Sequence, residues 1–198
     1  MLTPTALASE ARGYRCKVWR VVEAQHRIST NRLAGNPEEQ AQLEQLAEAA
    51  KPDLPRAAQA LHYLLAAPFR YGHGSASRFR RANERPGIFY ASETEATAIA
   101  ETAYWRLRFY TRSPGFVPPS ATSEHTSFTV SVDTSRALDL TVMPFAADLA
   151  AWTDPADYSA CQNLAALARE AGIAVLRSQS ARDPERGCNV VEIGRAHV

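Results

Sequence analysis

The sequence predicts a single α+β domain, a mixed β core with flanking helices, on three observations. The chain has 198 residues, enough for one compact domain that buries a core without disulfide or metal staples. Hydrophobic residues make up 45% and aromatics 9%, which are globular values. Helix-like and strand-like stretches are interleaved, but not in the regular alternation that builds a doubly wound parallel sheet.

The elements follow in chain order. Cys16–Val22, CKVWRVV, is a β-prone run that predicts a first strand with Arg20 at its heart. Asn36-Pro37-Glu38-Glu39 supplies an N-cap, a proline at the first helical position and an acid at the third, so a helix is predicted to about Ala50. Asp53 and Pro55 open a second helix through Ala57, Leu61, Leu64 and Leu65, expected to end before Pro68. A Gly- and Arg-rich loop follows, and Gly87–Ala91 reads as a buried strand. Ser92-Glu93-Thr94-Glu95 reads as the capping box of a helix whose core stripe is Ala96, Ala100, Ala103 and Leu107, flanked by Ile99 and Tyr104, with Glu101 off the stripe. Ser113-Pro114-Gly115 and Pro118-Pro119 break the chain. Residues 127–133 and 137–141 alternate as two strands of a hairpin. A last helix spans Tyr158–Ala171 with Gly172 beyond its end, and Ile173–Leu176 is a strand leading into a polar run.

Bulk properties exclude several classes. Net charge is +1, which provides no general attraction for nucleic acid or anionic membranes. No stretch approaches the ~20 apolar residues of a membrane span, and the opening MLTPTALASEARGYR does not read as a secretory signal, so a cytoplasmic site is expected. Cys16, Cys161 and Cys188 read as free core thiols, and they and the scattered His26, His62, His73 and His125 predict no metal site.

Chemistry concentrates in a few places. Arg70, Arg78, Arg80, Arg81 and Arg85 crowd one loop with Phe69, Tyr71 and Phe79. Guanidinium forks bind phosphate and aromatic faces take a flat ring, so the mixture suits a nucleotide. The same residues also describe an ordinary solvated basic loop, or a stacking platform for single-stranded RNA, against which the near-neutral charge weighs. Arg20, inside a strand, demands an anionic ligand or a carboxylate partner if buried. Glu101 is the candidate catalytic carboxylate because Thr97, Ala98, Tyr104 and Trp105 leave it no helical salt bridge; simple exposure is its alternative. Ser180 follows a strand where binding loops often lie, and no GxSxG or His-Asp pair supports a hydrolase triad.

Together the stretches VWRVV, SRFR, GIFYASETEATAIAETAYWRLRF, SARD and GCN resemble the RES family, named for its Arg, Glu and Ser. Similarity to one branch extends through HYLLAAPFRY, HTSFTV, RALDLT and YSACQNLAALAREAGI, so a RES domain is expected over residues 14–191. The resemblance implies a fold like the diphtheria-toxin-like ADP-ribosyltransferases. It implies a toxin that degrades NAD+ at the nicotinamide–ribose bond with water or phosphate as acceptor, or alternatively an enzyme that ADP-ribosylates a protein. It also implies an Xre-type helix-turn-helix antitoxin as partner, nucleic acid contact only through that antitoxin, possible homo-oligomers, and no cofactor or metal beyond NAD+ as substrate. By position, Arg20 would bind NAD+, Tyr90 would pack on it, Glu101 would be the catalytic acid, Ser180 would complete the cleft, and Arg78, Phe79 and Arg80 would line it. One feature departs from the family. Residues 192–198, EIGRAHV, are the translation of a common sequencing adapter and are expected to be read-through that replaces a native final strand.

Overall fold

The computed structural model describes residues 2–23, 33–71, 73–112, 115–117 and 123–193. His26, the proline-rich break at 113–114 and 118–119, and residues 194–198 of the tail lie outside them. Five strands close a barrel in the order β1-β2-β5-β4-β3: β1 (Arg12–Glu23), β2 (Phe89–Ser92), β3 (His125–Asp139), β4 (Val175–Gln179) and β5 (Cys188–Glu192). The helices are α1 (Pro4–Ser9), α2 (Pro37–Ala49), α3 (Tyr63–Arg70), α4 (Glu95–Thr111), α5 (Leu149–Trp152) and α6 (Ser159–Glu170). The mixed α+β architecture is the one expected.

The frame of the barrel is the long antiparallel pair β1·β3, in register from Tyr14↔Thr134 to Glu23↔His125. In place of the hairpin expected over 127–133 and 137–141, His125–Asp139 forms one continuous strand and Leu140 and Thr141 lie in the turn after it. The strand's N-terminal part pairs with β1, and Ala137–Asp139 runs parallel to Val175–Arg177 of β4. The alternation was read correctly, but nothing between 133 and 137 supplies a turn, so the chain stays extended and changes partner. The parallel β3·β4 pair needs a crossover, and α5 and α6 provide it.

Apolar side chains pack on both faces of the sheet. One cluster joins Leu138, Leu176, Val191 and Ile193 to Leu164, Ala165 and Ala168 of α6, to Trp152, and to Leu7 of α1. The other joins Val18, Val132, Val175 and Val190 to Phe89 and to Ala66 and Phe69 of α3. This double burial explains why the run Ile173–Leu176 leading into β4 is apolar at every position. Helix α6 buries Cys161, Leu164, Ala165 and Ala168, the i, i+3, i+4, i+7 set of an amphipathic helix. It ends where Gly172 takes φ +70°, with Ile173 N–H donating to Ala168 O at 2.9 Å and Gly172 N–H to Arg169 O at 3.0 Å.

Three local expectations are corrected. The helix predicted from Asp53 is a single 3-10 turn at Arg56–Ala58, a break, and then α3, which begins at a His62 cap and runs through Pro68. Pro68 forgoes one helical hydrogen bond, and burial of Ala66 and Phe69 offsets it. The cap of α4 is Thr94, whose hydroxyl accepts from Thr97 N at 3.2 Å, rather than Ser92. The stripe chosen for α4 is turned outward: Ala96 and Ala103 are exposed, as are Ile99 at 52% and Leu107 at 65%, whereas Thr97 and Ala98 are buried. The inward face therefore runs through Thr97, Ala98, Glu101 and Thr102. Small alanines gave the hydrophobicity pattern too little contrast to orient the helix.

A polar cluster secures the sheet. Arg177 grips Glu93 with two bonds of 2.7 and 2.9 Å, reaches Asp139 at 3.1 Å and Thr141 at 2.6 Å, and Tyr14 donates to Glu93 at 2.9 Å. The Arg177 hydrogen bonds hold the Glu93 carboxyl below its ordinary value of 4.5, and the one from Tyr14 adds to this. A carboxyl depressed on folding stabilises the fold at neutral pH, and that stability is lost as pH falls through its folded value. Glu93→Gln is expected to lower the urea midpoint at pH 7, with the gap to the wild type closing below about pH 4.5. An unchanged gap at pH 3.5 would refute the linkage.

Candidate functional site

A cavity of about 590 Å³ opens between α4, β1, β2, β5 and the loop before β2. Its lining includes Arg20, Arg78, Phe79, Arg80, Tyr90 and Glu101, so six of the seven residues singled out in the sequence converge on one space. Ser180 is not in the lining; it lies behind Glu101.

Arg20 projects from β1 opposite Phe128. Its Nη1 donates to Tyr90 O at 2.6 Å, its Cζ lies 4.8 Å from the Phe89 ring centroid, and its buried Nε has no partner. No carboxylate among the described residues pairs with it. Burial lowers its pKa to about 10, so it remains a cation at neutral pH. Of the two readings open for a strand arginine, the structural carboxylate partner is absent among these residues.

Glu101 lies on the inward face of α4 and forms no salt bridge among the described residues. Its Oε1 accepts from Ser180 Oγ at 2.6 Å and from Asn189 Nδ2 at 2.6 Å. The expectation that it lies off the helix's buried face is therefore corrected. Ser180 is 2% exposed, and its hydroxyl accepts from the amides of Arg182 and Asp183 at 3.0 Å each. The turn that presents it is tied to α4 by Thr97 Oγ1 donating to Asp183 at 2.8 Å, a bond that holds the Asp183 carboxyl below its ordinary range. Gly187 permits this approach, since a Cβ there would stand 2.1 Å from Thr97 Oγ1.

The remaining residues form the far wall. Tyr90 O–H pairs with Ser77 Oγ at 2.9 Å and accepts from Phe79 N at 3.2 Å, and burial pushes the phenol up. Arg78, 8% exposed, donates to Gln179 O at 3.1 Å. Arg80, 4% exposed, spends its guanidinium on the carbonyls of His73, Ser75 and Arg81. Phe79 is 1% exposed and belongs to the core. Arg70 is tied to Glu48 and Pro52 O, and Arg81 to Asn163. Arg80 therefore holds the loop's own carbonyls, Arg78 and Arg70 reach carbonyls elsewhere in the fold, and Arg81 and Arg85 remain exposed.

Sequence reasoning missed Asn189, Ser92 and Trp105 in this site. Trp105 was legible, one helical turn beyond Glu101 on the same face. Asn189 was not, because the run before it reads as a polar loop although Cys188–Glu192 is β5. Glu192 is buried in that strand, and the Ile193 amide donates to Ala174 O at 2.9 Å. Among the described residues no group of three His, Cys, Asp or Glu side chains could hold a metal, and no helix is long and apolar enough to cross a membrane.

The family model of the RES domain matches residues 53–197. No curated protein sequence matches the chain. Among solved structures, a chain of the crystal structure of the M. tuberculosis MbcT–MbcA toxin–antitoxin complex is similar at a TM-score of 0.55 and 13% identity, over 96% of this chain and 80% of that one. At that identity the likeness is one of fold.

Proposed function

This chain belongs to the RES-domain family, and from that premise we propose that it is the toxin of a toxin–antitoxin pair that destroys NAD+ by cleaving the nicotinamide–ribose bond, with water or phosphate as acceptor. Its barrel is then a variant of the diphtheria-toxin-like ADP-ribosyltransferase fold. Its partner is an Xre-type helix-turn-helix antitoxin, nucleic acid is met only through that antitoxin, and the enzyme acts in the cytoplasm. The likeness to a chain of a toxin–antitoxin complex supports this reading. One observation carries it: a fixed carboxylate and a guanidinium that has no counter-ion among the described residues share one cavity and do not neutralise each other.

Loss of nicotinamide leaves an oxocarbenium-like ribose, and the leaving ring departs neutral, so no acid is needed to protonate it. The chemistry requires negative charge beside the anomeric carbon and positive charge on the diphosphate. Glu101 supplies the first and Arg20 the second. Ser180 holds Glu101, Tyr90 pins the 77–79 loop, and Arg78, Phe79 and Arg80 belong to the same wall of the cavity. The cavity has the size of a small-molecule site.

Purified protein incubated with NAD+ is expected to release one nicotinamide per NAD+ consumed, with the ADP-ribose recovered as a small molecule, phosphorylated when phosphate is present. Intact NAD+ after prolonged incubation would overturn the reading. ADP-ribose recovered only on a lysate protein would make the enzyme a transferase.

A further inference from the structure

Behind Glu101 lies a hydrogen-bonded chain that fixes which of its oxygens meets the cavity. Asn189, 7% exposed on β5, donates through Nδ2 to Glu101 Oε1 at 2.6 Å, and its Oδ1 accepts from Ser92 Oγ on β2 at 2.8 Å. Ser92 and Asn189 are register partners across β2·β5, so their side chains emerge on the same face of the sheet. Reversing the amide would set Oδ1 against a carboxylate oxygen, acceptor against acceptor, so only one orientation is stable beside an ionised Glu101. The Ser180 hydroxyl already accepts from two backbone amides, which leaves its own proton aimed at the same Oε1. Both donors thus occupy Oε1, while Oε2 accepts from no described residue.

We propose that Asn189 is a positioning residue that, with its amide set by Ser92, holds Glu101 so that Oε2 is the anionic oxygen presented to the reacting centre. This rests on the reading of Glu101 as the charge-stabilising group for nicotinamide release. A carboxylate on a flexible side chain gains from such anchoring, because a misplacement of about 1 Å at a reacting centre costs on the order of 10²-fold in rate. The two donors come from β5 and from the turn after β4, so the carboxylate on α4 is clamped against the barrel.

The test uses the full chain and Asn189→Leu, Asn189→Asp, Ser92→Ala and Glu101→Ala. Asn189→Leu is expected to lower kcat by roughly 10- to 100-fold with little change in KM for NAD+. Leucine is close to asparagine in shape but carries no donor, so a packing role would leave Asn189→Leu active; Asn189→Asp, which sets a second carboxylate against Glu101 Oε1, is expected to lose at least as much. In the Glu101→Ala background Asn189→Leu should change the residual rate by less than about twofold. Independently of any substrate, the 15N-labelled Asn189 side-chain amide is expected to show one downfield, slowly exchanging proton that reverts towards a free amide in Glu101→Ala, and to lose that protection partly in Ser92→Ala. A fully active Asn189→Leu, or an amide signal unmoved by Glu101→Ala, overturns the proposal. Absence of nicotinamide release by the wild type overturns the substrate reading alone, and the amide signal still decides the positioning.

Discussion

Glu101→Gln is expected to reduce nicotinamide release on the order of 10³-fold, the scale seen when a preorganised group facing developing charge is removed. The substitution separates charge from scaffold. Glutamine keeps an oxygen that accepts from Ser180 and Asn189 where Oε1 does now, and replaces only the unbonded Oε2 with an amide nitrogen. The fold and the buried donors stay satisfied, while the anionic oxygen disappears. Glu101→Ala should lose as much activity but also stability, because Ser180 and Asn189, 2% and 7% exposed, would lose their shared acceptor. The pair of variants, assayed for nicotinamide by chromatography and for unfolding by urea, separates the chemical role from the structural one. Glu101→Gln turnover within tenfold of the wild type would mean that the carboxylate's charge does not drive the step. Arg20 is its counterpart, since a cation whose contacts among the described residues are a carbonyl and a ring face has its charge in reserve for an anion.

The elements with strong local punctuation were legible in the sequence. Asn36 caps α2 by accepting from Glu39 N at 2.9 Å, and Gly172 closes α6, as the residues themselves state. What failed to read was whatever depends on long-range partners. α4 has alanines on several faces, and only the barrel decides that Thr97, Ala98 and Glu101 turn inward. β3 alternates over its whole length, so its change of partner from β1 to β4 leaves no mark on the sequence. The site divides in the same way. Arg20 and Glu101 could be picked out because each is anomalous where it stands, a cation in a strand and an acid with no helical mate. Asn189 and Ser92 are ordinary polar residues whose meaning comes from the register of β2 with β5.

Gly87→Ala is expected to destabilise the fold by roughly 2–3 kcal/mol, and here the cause is space alone. A Cβ at position 87 would stand 1.9 Å from Pro68 O and 2.9 Å from Tyr71 O, both backbone atoms that no rotamer change can move. Relief requires that the end of α3 separate from the entry to β2. On one side that pulls at Phe69, 3% exposed, and on the other at Ile88 and Phe89, 6% and 1% exposed. The entry to β2 cannot yield alone, because Phe89–Ser92 is paired along its length with Asn189–Glu192 of β5. For a chain of this size the loss corresponds to a Tm lower by roughly 5–10 °C. Gly13→Ala is the matched control, since a Cβ there meets nothing within 4 Å; it should remain within about 0.5 kcal/mol of the wild type. Equal urea midpoints for the two variants would refute the steric account. The site should register the change as well, because Tyr90, one residue into β2, offers its carbonyl to Arg20 at 2.6 Å and its hydroxyl to the 77–79 loop. Displacement of that strand would move the cation and the far wall together, so Gly87→Ala is expected to weaken NAD+ binding even at temperatures where the protein stays folded.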